Sequence, residues 1–464
     1  MTNNRIKRIS STLPVFLGIL LSLFLTFEIF TQSKLYGSVY PEANSNPLAE
    51  RVAYRLRDRI QRRFGAQIQI EELVAAVQTR QRLLSQNLTL RFLYQGTGST
   101  MNYLPWQISL QEHNDWVSFV LDGDHAAFKL NEETIASAIQ NGEPTFVPRK
   151  KNAIMLHPKQ DRLVMRGEVF GQPSAGFTLD GYTLAKAIAD AYEDGRTLVE
   201  YPVTYESPDL IVQTASGQYT LSRLSVGRSD FARSPIGRVA NIKKGLQNRI
   251  HGSIFDASEL ISFNNILVGE PNWQNALVIV NGKDLVMEPG GGICQVATTV
   301  YRAVLLAGLP VFQRKNHSLY VSYYKKYGVG IDATVYAKKQ DLTFQNDTNG
   351  KLVLLAWVEG TEAVVEVYGE HDGRTVSLDG PYFAQTAPSG LLVNGRLPRT
   401  NEIIWQNTVS YANGNERKEV VVSAYSGFPR SLYLEYPQSR GVAELHKNLV
   451  LSGSVLPQDL LAAQ

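Results

Sequence analysis

The sequence predicts an α+β fold with an N-terminal transmembrane helix, followed by mixed α+β domains and a β-rich C-terminal region. Three observations predict this fold class. One long apolar run, Leu13 to Phe27, follows a basic N-terminus. Helical and strand-like periodicities are then mixed between residues 48 and 370. Beyond Gly373 the pattern is strand-like, with turns rich in Gly, Pro and Asn.

The composition is that of a folded protein with several domains. A chain of 464 residues is too long for one ordinary core. Hydrophobic residues make up 44% and charged residues 19%, which is close to globular usage. The net charge of +3 creates no protein-wide field, so no nucleic acid partner is expected. A local basic run is interpreted as a solvated helix face or a membrane-proximal patch, and its members are Arg51, Arg55, Arg57, Arg59, Arg62 and Arg63.

Residues 1–35 are predicted to be a cytoplasmic tail and a transmembrane signal anchor. Arg5, Lys7 and Arg8 precede the apolar run, and no small-x-small cleavage site follows it. The positive-inside rule places the N-terminus in the cytoplasm and the bulk of the chain outside. We therefore expect a single-pass protein of the cell membrane.

The segment before the cysteine region is divided into two parts. Residues 36–95 are interpreted as a linker and a helical or mixed spacer, and residues 96–207 as a separate α+β domain. In the second part, Asn131 and Asp180 are suited to cap two helices, and Val199 to Val203 resembles a strand. This order resembles a peptidoglycan-binding domain, and an unrelated α+β spacer is the alternative.

Residues 374–464 are predicted to form a β-rich appendage. Their strand-like stretches are separated by turn residues. These stretches are Val376 to Leu378, Leu391 to Val393, Glu419 to Ala424 and Leu432 to Tyr436.

A glycine-rich turn, Gly290 to Gly292, delivers Cys294 to the start of a predicted helix. Apolar residues recur on one face from Val296 to Ala307, and Gly308 ends the helix. Unpaired amides at a helix start favour a thiolate and lower the thiol pKa from its free value of about 8.5. The alternative is a small buried hydrophobic residue on a tight turn. Because Cys294 is the only cysteine, internal disulfides and Cys-based metal clusters are excluded.

The bare glycine backbone also leaves N–H groups accessible to a substrate carbonyl. Gly291, Gly292 and Gln295 are therefore the candidate residues for substrate binding and for stabilising an oxyanion.

A cysteine nucleophile needs a base, and the base needs an orienting partner. His317 is the nearest downstream histidine, and the alternation after it suggests a strand. Asp332 precedes a second strand-like stretch, Ala333 to Ala337. A lone histidine is more often a hydrogen-bonded structural residue, which is the alternative for His317. The other histidines lie in no comparable context, and they are His113, His125, His157, His251, His371 and His446.

These residues lie in a series of motifs that resembles the VanW-domain family. The motifs are ARSPIGRVANIKKG, ISFN, GGGICQVATTVYRAVLLAGLPVFQRKNHSLYVSYY, IDATVY and DLTFQN. The resemblance covers residues 222–370 and implies an association with cell-wall metabolism and glycopeptide resistance. Some members are L,D-transpeptidases with a cysteine nucleophile, which implies this role for Cys294 with His317 as its partner. In the resulting hypothesis, Asp332 orients His317.

The sequence departs from the family pattern at three places. Ala297 stands where the family commonly has Ser, Leu319 and Tyr320 lie in a stretch that often carries Pro, and Ile331 stands where it commonly has Arg. If that Arg normally holds a substrate carboxylate, its loss implies different acceptor binding or a loss of activity.

The leading functional hypothesis is acyl transfer on peptidoglycan stem peptides, with hydrolysis by the same acyl-enzyme as a neighbouring possibility. The alternatives are a non-catalytic peptidoglycan-binding or assembly protein and a membrane-tethered scaffold for other wall enzymes. We predict no metal and no cofactor, since the sequence has no HExxH motif, no cysteine pair, no phosphate-binding loop and no GxSxG elbow.

Overall fold

The computed structural model describes residues 47–95, 101–123, 125–280, 284–427, 429 and 432. The α-helices of these residues are α1 Pro47–Phe64, α2 Ile70–Ser85, α3 Glu132–Gln140, α4 Gly181–Glu193, α5 Ile236–Gly245, α6 Phe263–Leu267 and α7 Ile293–Leu306. Shorter helical turns are Asn114–Trp116, Leu246–Ile250 and Ser322–Tyr327.

The strands of the described residues alternate with these helices. They are β1 Asn87–Gln95, β2 Met101–Ser109, β3 Val117–Asp122, β4 His125–Leu130, β5 Ala153–Asp161, β6 Val164–Phe170, β7 Gly176–Phe177, β8 Leu198–Pro202, β9 Tyr205–Glu206, β10 Asp209–Thr214, β11 Gly217–Asp230, β12 Ser253–Phe255, β13 Leu260–Ser262, β14 Asn275–Val280, β15 Asp284–Pro289, β16 Val311–Gln313, β17 Thr343–Gln345, β18 Leu352–Glu359, β19 Glu362–Gly369, β20 Thr375–Tyr382, β21 Glu402–Ser410 and β22 Glu416–Ala424.

The predicted fold class is corrected in its transmembrane part. In the part of the chain that the structure describes, no helix is both long enough and apolar enough to cross a membrane. Helix α1 has 18 residues, but it buries only Ala49, Ala53, Leu56 and Ile60, and the basic run occupies its exposed and partly exposed positions. The predicted anchor itself, within residues 1–35, lies outside the described residues.

One of two compact units comprises, within the described residues, 47–148 and 177–204. Its main sheet has the order β2-β1-β8, with β1 antiparallel to β2 and parallel to β8. The two predicted helix caps are confirmed. Asn131 accepts a hydrogen bond from the Thr134 amide, and Asp180 accepts one from the Tyr182 amide, at 3.1 and 3.0 Å. The assignment of this region to peptidoglycan binding stays a prediction.

The second unit comprises, within the described residues, 149–176 and those from 205 to 432. Its centre is a closed barrel of seven strands in the order β10-β11-β19-β18-β12-β6-β5. Strand β5 closes the barrel by parallel pairing with β10, and β6 pairs with β12. The barrel therefore takes residues 153–170 from the segment that the sequence assigned to the 96–207 domain, because strand pairing brings together residues distant in the chain.

The buried helix α7 packs against strands β11 and β19 of the barrel. Gly227 of β11 permits this approach, since a Cβ there would lie 2.5 Å from the Ala303 amide nitrogen. Ser225 donates to the Ala303 carbonyl at 2.7 Å, and the hydroxyls of Ser229 and Thr299 are 2.7 Å apart. These contacts fix the helix that carries Cys294.

The β-rich character of the C-terminal region is confirmed by a sheet of β20, β21 and β22. Two of its predicted strand segments lie in β20 and β22. The prediction of a strand at Leu391 to Val393 is wrong, since only an isolated bridge from Val393 to Arg396 occurs there. Strand β21, by contrast, was not predicted. The indole of Trp405 in β21 donates to the Val329 carbonyl at 2.8 Å and so links this sheet to the segment before Asp332.

Candidate active site

Helix α7 places Cys294 in its first turn. Gly292 is the N-cap and has a φ of 110°, a conformation that favours glycine. The helix ends at Leu306, and Gly308 follows with a φ of 67°, so the predicted start and end are confirmed. The side chain of Cys294 is half-buried and lies on the wall of a cavity of about 890 Å³.

The structure places the His317 side chain within hydrogen-bonding reach of the Cys294 sulfur. The sulfur also lies 3.5 Å from Thr334 Oγ1 and 3.5 Å from the Val335 carbonyl oxygen. Burial acts to raise the pKa of Cys294, but a hydrogen bond from His317 and the charge of its ring outweigh it. The pKa of the thiol is lowered from 9.0 to about 7. Near neutral pH a large fraction of Cys294 is therefore thiolate.

Asp332 holds the other side of the histidine ring. Nδ1 of His317 donates to Oδ2 of Asp332 at 2.5 Å, and the His317 amide donates to the same oxygen at 2.9 Å. Burial acts to lower the pKa of His317, while the hydrogen bonds to Asp332 and Cys294 raise it to about 9. Since Asp332 occupies Nδ1, Nε2 is the ring nitrogen that faces Cys294.

Asp332 is itself fixed by two residues that sequence reasoning missed. The hydroxyl of Tyr425 donates to its Oδ1 at 2.5 Å, and a guanidinium nitrogen of Arg314 lies 3.4 Å from the same oxygen. Burial acts to raise the pKa of Asp332, but His317 and Arg314 lower it to about 2. The carboxylate is therefore ionised and oriented. Tyr425 lies 93 residues beyond Asp332 in the chain, so no local pattern could have indicated it.

The predicted strands around these residues are wrong. A 3₁₀ turn, Ser322–Tyr327, follows His317, and Ala333 to Ala337 form no strand. The Thr334 amide donates to the Lys315 carbonyl at 2.8 Å, and side chains supply further partners for the backbone of this segment. The hydroxyl of Thr298 bonds both backbone groups of Ala333, and Arg302 donates to the Ile331 carbonyl at 2.8 Å.

Two of the predicted oxyanion residues are placed differently from expectation. Gly291 packs against Ala276, where a Cβ would lie 2.7 Å from the alanine Cβ, and it does not line the cavity. The amide of Gln295 donates to the Gly292 carbonyl, and its side-chain nitrogen donates to Ser229 and to the Asp230 carbonyl. Both groups of Gln295 are thus engaged within the protein.

Gly292 does line the cavity, next to Cys294. The amides of Gly292 and Cys294 make no hydrogen bond to the described part of the chain. These two N–H groups lie at the positive end of α7. They can donate to the oxyanion that forms when the sulfur attacks a carbonyl carbon.

Ile331 is 1% exposed, belongs to the core and does not line the cavity. The absence of an arginine at this position therefore removes no side chain from the cavity wall. A different arginine, Arg238, does line the cavity and lies in the ARSPIGR motif. In the described residues, no group of three or more His, Cys, Asp or Glu side chains is placed to hold a metal ion.

Comparisons with known proteins agree with the motifs. Residues 237–368 match the family model of VanW-like proteins. The uncharacterized protein YoaR of Bacillus subtilis (strain 168) is 35% identical over 114 residues, which cover 24% of this chain and 36% of YoaR. No solved structure matches the chain. The resemblance is thereby confirmed, and residues 237–368 of this chain form a VanW-like domain.

Proposed function

We propose that the VanW-like domain is a cysteine-dependent acyltransferase of the L,D-transpeptidase type that acts on peptidoglycan stem peptides. One observation carries the proposal: Cys294, His317 and Asp332 form a hydrogen-bonded series at the wall of an open cavity. The stem-peptide substrate is taken from the family resemblance. Such a substrate requires the domain to lie outside the cytoplasmic membrane, and that location is part of the proposal.

The first half-reaction forms an acyl-enzyme. The Cys294 thiolate attacks the carbonyl of the third residue of a donor tetrapeptide and forms a carbon–sulfur bond. The amides of Gly292 and Cys294 stabilise the resulting oxyanion. His317 gives its Nε2 proton to the leaving nitrogen, the carbon–nitrogen bond breaks, and the terminal amino acid departs.

The second half-reaction releases the acyl group. His317 removes a proton from the amine of a neighbouring stem peptide, and the amine attacks the thioester. The carbon–sulfur bond breaks and regenerates the thiolate. If water enters instead of the amine, the same acyl-enzyme is hydrolysed, so access to the cavity decides between transfer and hydrolysis.

A binding role without catalysis is the alternative from another class. The absence of an arginine at position 331 favours this binding role. However, Ile331 is buried away from the cavity, which weakens that argument. The ionised Asp332 and the lowered pKa of Cys294 favour the enzyme, because wall binding alone requires neither.

Intact mass spectrometry of the protein with defined stem peptides tests the proposal. We expect an adduct whose mass equals the tetrapeptide minus its terminal amino acid. Cys294→Ala is expected to abolish the adduct, since it removes the attacking sulfur, and circular dichroism checks that the variant is folded. Thr299→Ser, on the buried side of the same helix, is the control and is expected to keep the adduct. A wild-type protein that forms no adduct with any stem peptide would contradict the proposal.

A further inference from the structure

A buried guanidinium without an acidic partner lies on the wall of the Cys294 cavity. Arg238 is 8% exposed and lines this cavity. It donates to Ser234 Oγ at 2.6 Å, to Gln295 Oε1 at 2.6 Å and to Tyr323 OH at 3.2 Å. None of its partners among the described residues is a carboxylate. A buried cation is costly without a counter-ion, so an anionic ligand would complete this arrangement.

The guanidinium is held in place before any ligand arrives. Gln295 is fully buried and is itself fixed by Ser229 and the Asp230 carbonyl. The Tyr323 ring centre lies 4.8 Å from the guanidinium carbon. A Cβ on Gly292 would lie 3.1 Å from Arg238 Cγ, so the turn that positions the nucleophile also packs against the arginine stem. Such preorganisation reduces the entropy lost on binding.

The other charged groups of the cavity differ from Arg238. Lys338 and Lys339 are exposed point charges on long stems. Asp341 already accepts hydrogen bonds from Ser262 and from the Asn264 amide. His317 is a second buried cation of the cavity wall, but it is paired with Asp332, and Glu288 is partly exposed. Arg238 is thus the buried cation of the described cavity wall that has no carboxylate partner. Its three hydrogen bonds use one Nη1 donor and both Nη2 donors, so the Nε donor and the other Nη1 donor can bind carboxylate oxygens.

We propose that Arg238 binds the free carboxylate of the acyl donor, on the residue that leaves when Cys294 attacks the adjacent carbonyl. This inference rests on the proposed acyl transfer and specifies its donor as a peptide with a free C-terminal carboxylate. When the carbon–nitrogen bond breaks, the leaving amine takes the proton of His317 and the departing amino acid keeps its carboxylate. The site therefore acts at peptide ends and discriminates against internal amides.

Equilibrium binding separates this inference from catalysis. The full chain with Cys294→Ala is titrated calorimetrically with a synthetic stem tetrapeptide that has a free C-terminal carboxylate, and with the same peptide as a C-terminal amide. We expect the acid to bind about 10-fold or more tightly, because charged hydrogen bonds are stronger than neutral ones. Adding Arg238→Gln is expected to remove the preference, and Arg238→Lys to keep part of it.

The matched control is Lys243→Gln, an exposed position on the same helix α5, which is expected to keep the full preference. Circular dichroism checks that each variant is folded. If Arg238→Gln does not fold, Arg238→Lys provides the test, since it is expected to show a reduced preference. Equal binding of acid and amide, or no binding of either, overturns the inference. It is also overturned if the preference survives Arg238→Gln and is lost in the double variant Lys338→Gln/Lys339→Gln, since the exposed lysines would then bind the carboxylate. If the preference is present but the wild-type chain forms no acyl-enzyme, carboxylate binding by Arg238 stands and the proposed acyl transfer fails.

Discussion

At the scale of single residues, the reactive group of the site is an ion pair rather than a lone thiol. The pKa of Cys294 is lowered to about 7 and that of His317 is raised to about 9. Between these pH values the thiolate and the imidazolium are both present, which is the state that attack and leaving-group protonation require. Below this range the thiolate is protonated, and above it the histidine has lost the proton that the leaving amine needs.

The rate of alkylation by iodoacetamide, measured against pH, checks this charge state. We expect an apparent pKa of Cys294 near the value of about 7, below the free thiol's value of about 8.5. His317→Ala removes the hydrogen bond and the charge that favour the thiolate, so it is expected to raise the apparent pKa. His371→Ala is the control, because His371 lies outside the cavity lining. A thiol that reacts only after denaturation would instead identify Cys294 as a packing residue.

At the scale of secondary-structure elements, the C-terminal sheet supports the Asp332 carboxylate. Tyr425 follows β22 and donates to Asp332. Arg314 binds the Val422 carbonyl of β22 at 2.9 Å and also the Asp332 carbonyl at 2.6 Å. The β-rich region therefore contributes to the site through positioning residues that touch Asp332, not the nucleophile.

Tyr425→Phe tests this support. The substitution removes a hydrogen bond to a buried carboxylate, and we expect the free energy of unfolding to fall by about 1–3 kcal/mol. We also expect the apparent pKa of Cys294 to rise, because an Asp332 carboxylate without the Tyr425 hydrogen bond no longer holds His317 in the orientation that favours the thiolate. Denaturant titration and the alkylation profile measure the two effects. Tyr382→Phe on β20 is the control, since Tyr382 is not a hydrogen-bond partner of Asp332 in the described chain. An unchanged alkylation profile for Tyr425→Phe would limit Tyr425 to a structural role.

The contact between α7 and β11 is a second test at this scale. Gly227→Ala would place a methyl group against the backbone of α7, at Thr299 and Ala303. We expect a loss of about 1–3 kcal/mol in the free energy of unfolding, as is typical of overpacked cores. Gly427→Ala, where a Cβ meets nothing within 4 Å, is expected to change it little. Thermal or denaturant unfolding of both variants compares them directly, and equal stabilities would show that β11 can move away from the helix.

At the scale of the whole molecule, the unit with the candidate active site is discontinuous in sequence. It takes β5 and β6 from residues 149–176, before the chain enters the other unit at Phe177. The predicted VanW boundary at residue 222 omits these strands and also β10. A fragment cut there loses three strands of the closed barrel and residues 217–221 of β11, and it exposes the apolar face that includes Ile254, Val353 and Leu355.

Two fragments test this organisation. A fragment that begins at residue 222 is expected to unfold without a cooperative transition, since open barrel edges leave backbone groups and apolar side chains unpaired. A fragment that begins at residue 149 retains all seven barrel strands and is expected to unfold cooperatively. Circular dichroism during heating measures both. Equal thermal midpoints for the two fragments would mean that β5, β6 and β10 contribute little to this unit.

The sequence by itself determined the features that depend on neighbours in the chain. Helix α7 and its glycine turn, the caps at Asn131 and Asp180, and the VanW-like motifs could all be predicted from local periodicity and residue type. Cys294, His317 and Asp332 could be named as candidates, because a nucleophile, a base and an orienting carboxylate are recognisable residue types. Their mutual placement could not be derived from spacing.

Only the tertiary structure decided which distant residues meet. The closure of the barrel by β5 and the hydrogen bond from Tyr425 to Asp332 depend on pairing across long stretches of chain. The same is true of Gln295, whose side chain is consumed by Ser229 and Arg238 and is not free for a substrate. Local patterns report which face of an element is apolar, whereas the partner of a buried polar group is selected by the whole fold, since each such group must find one.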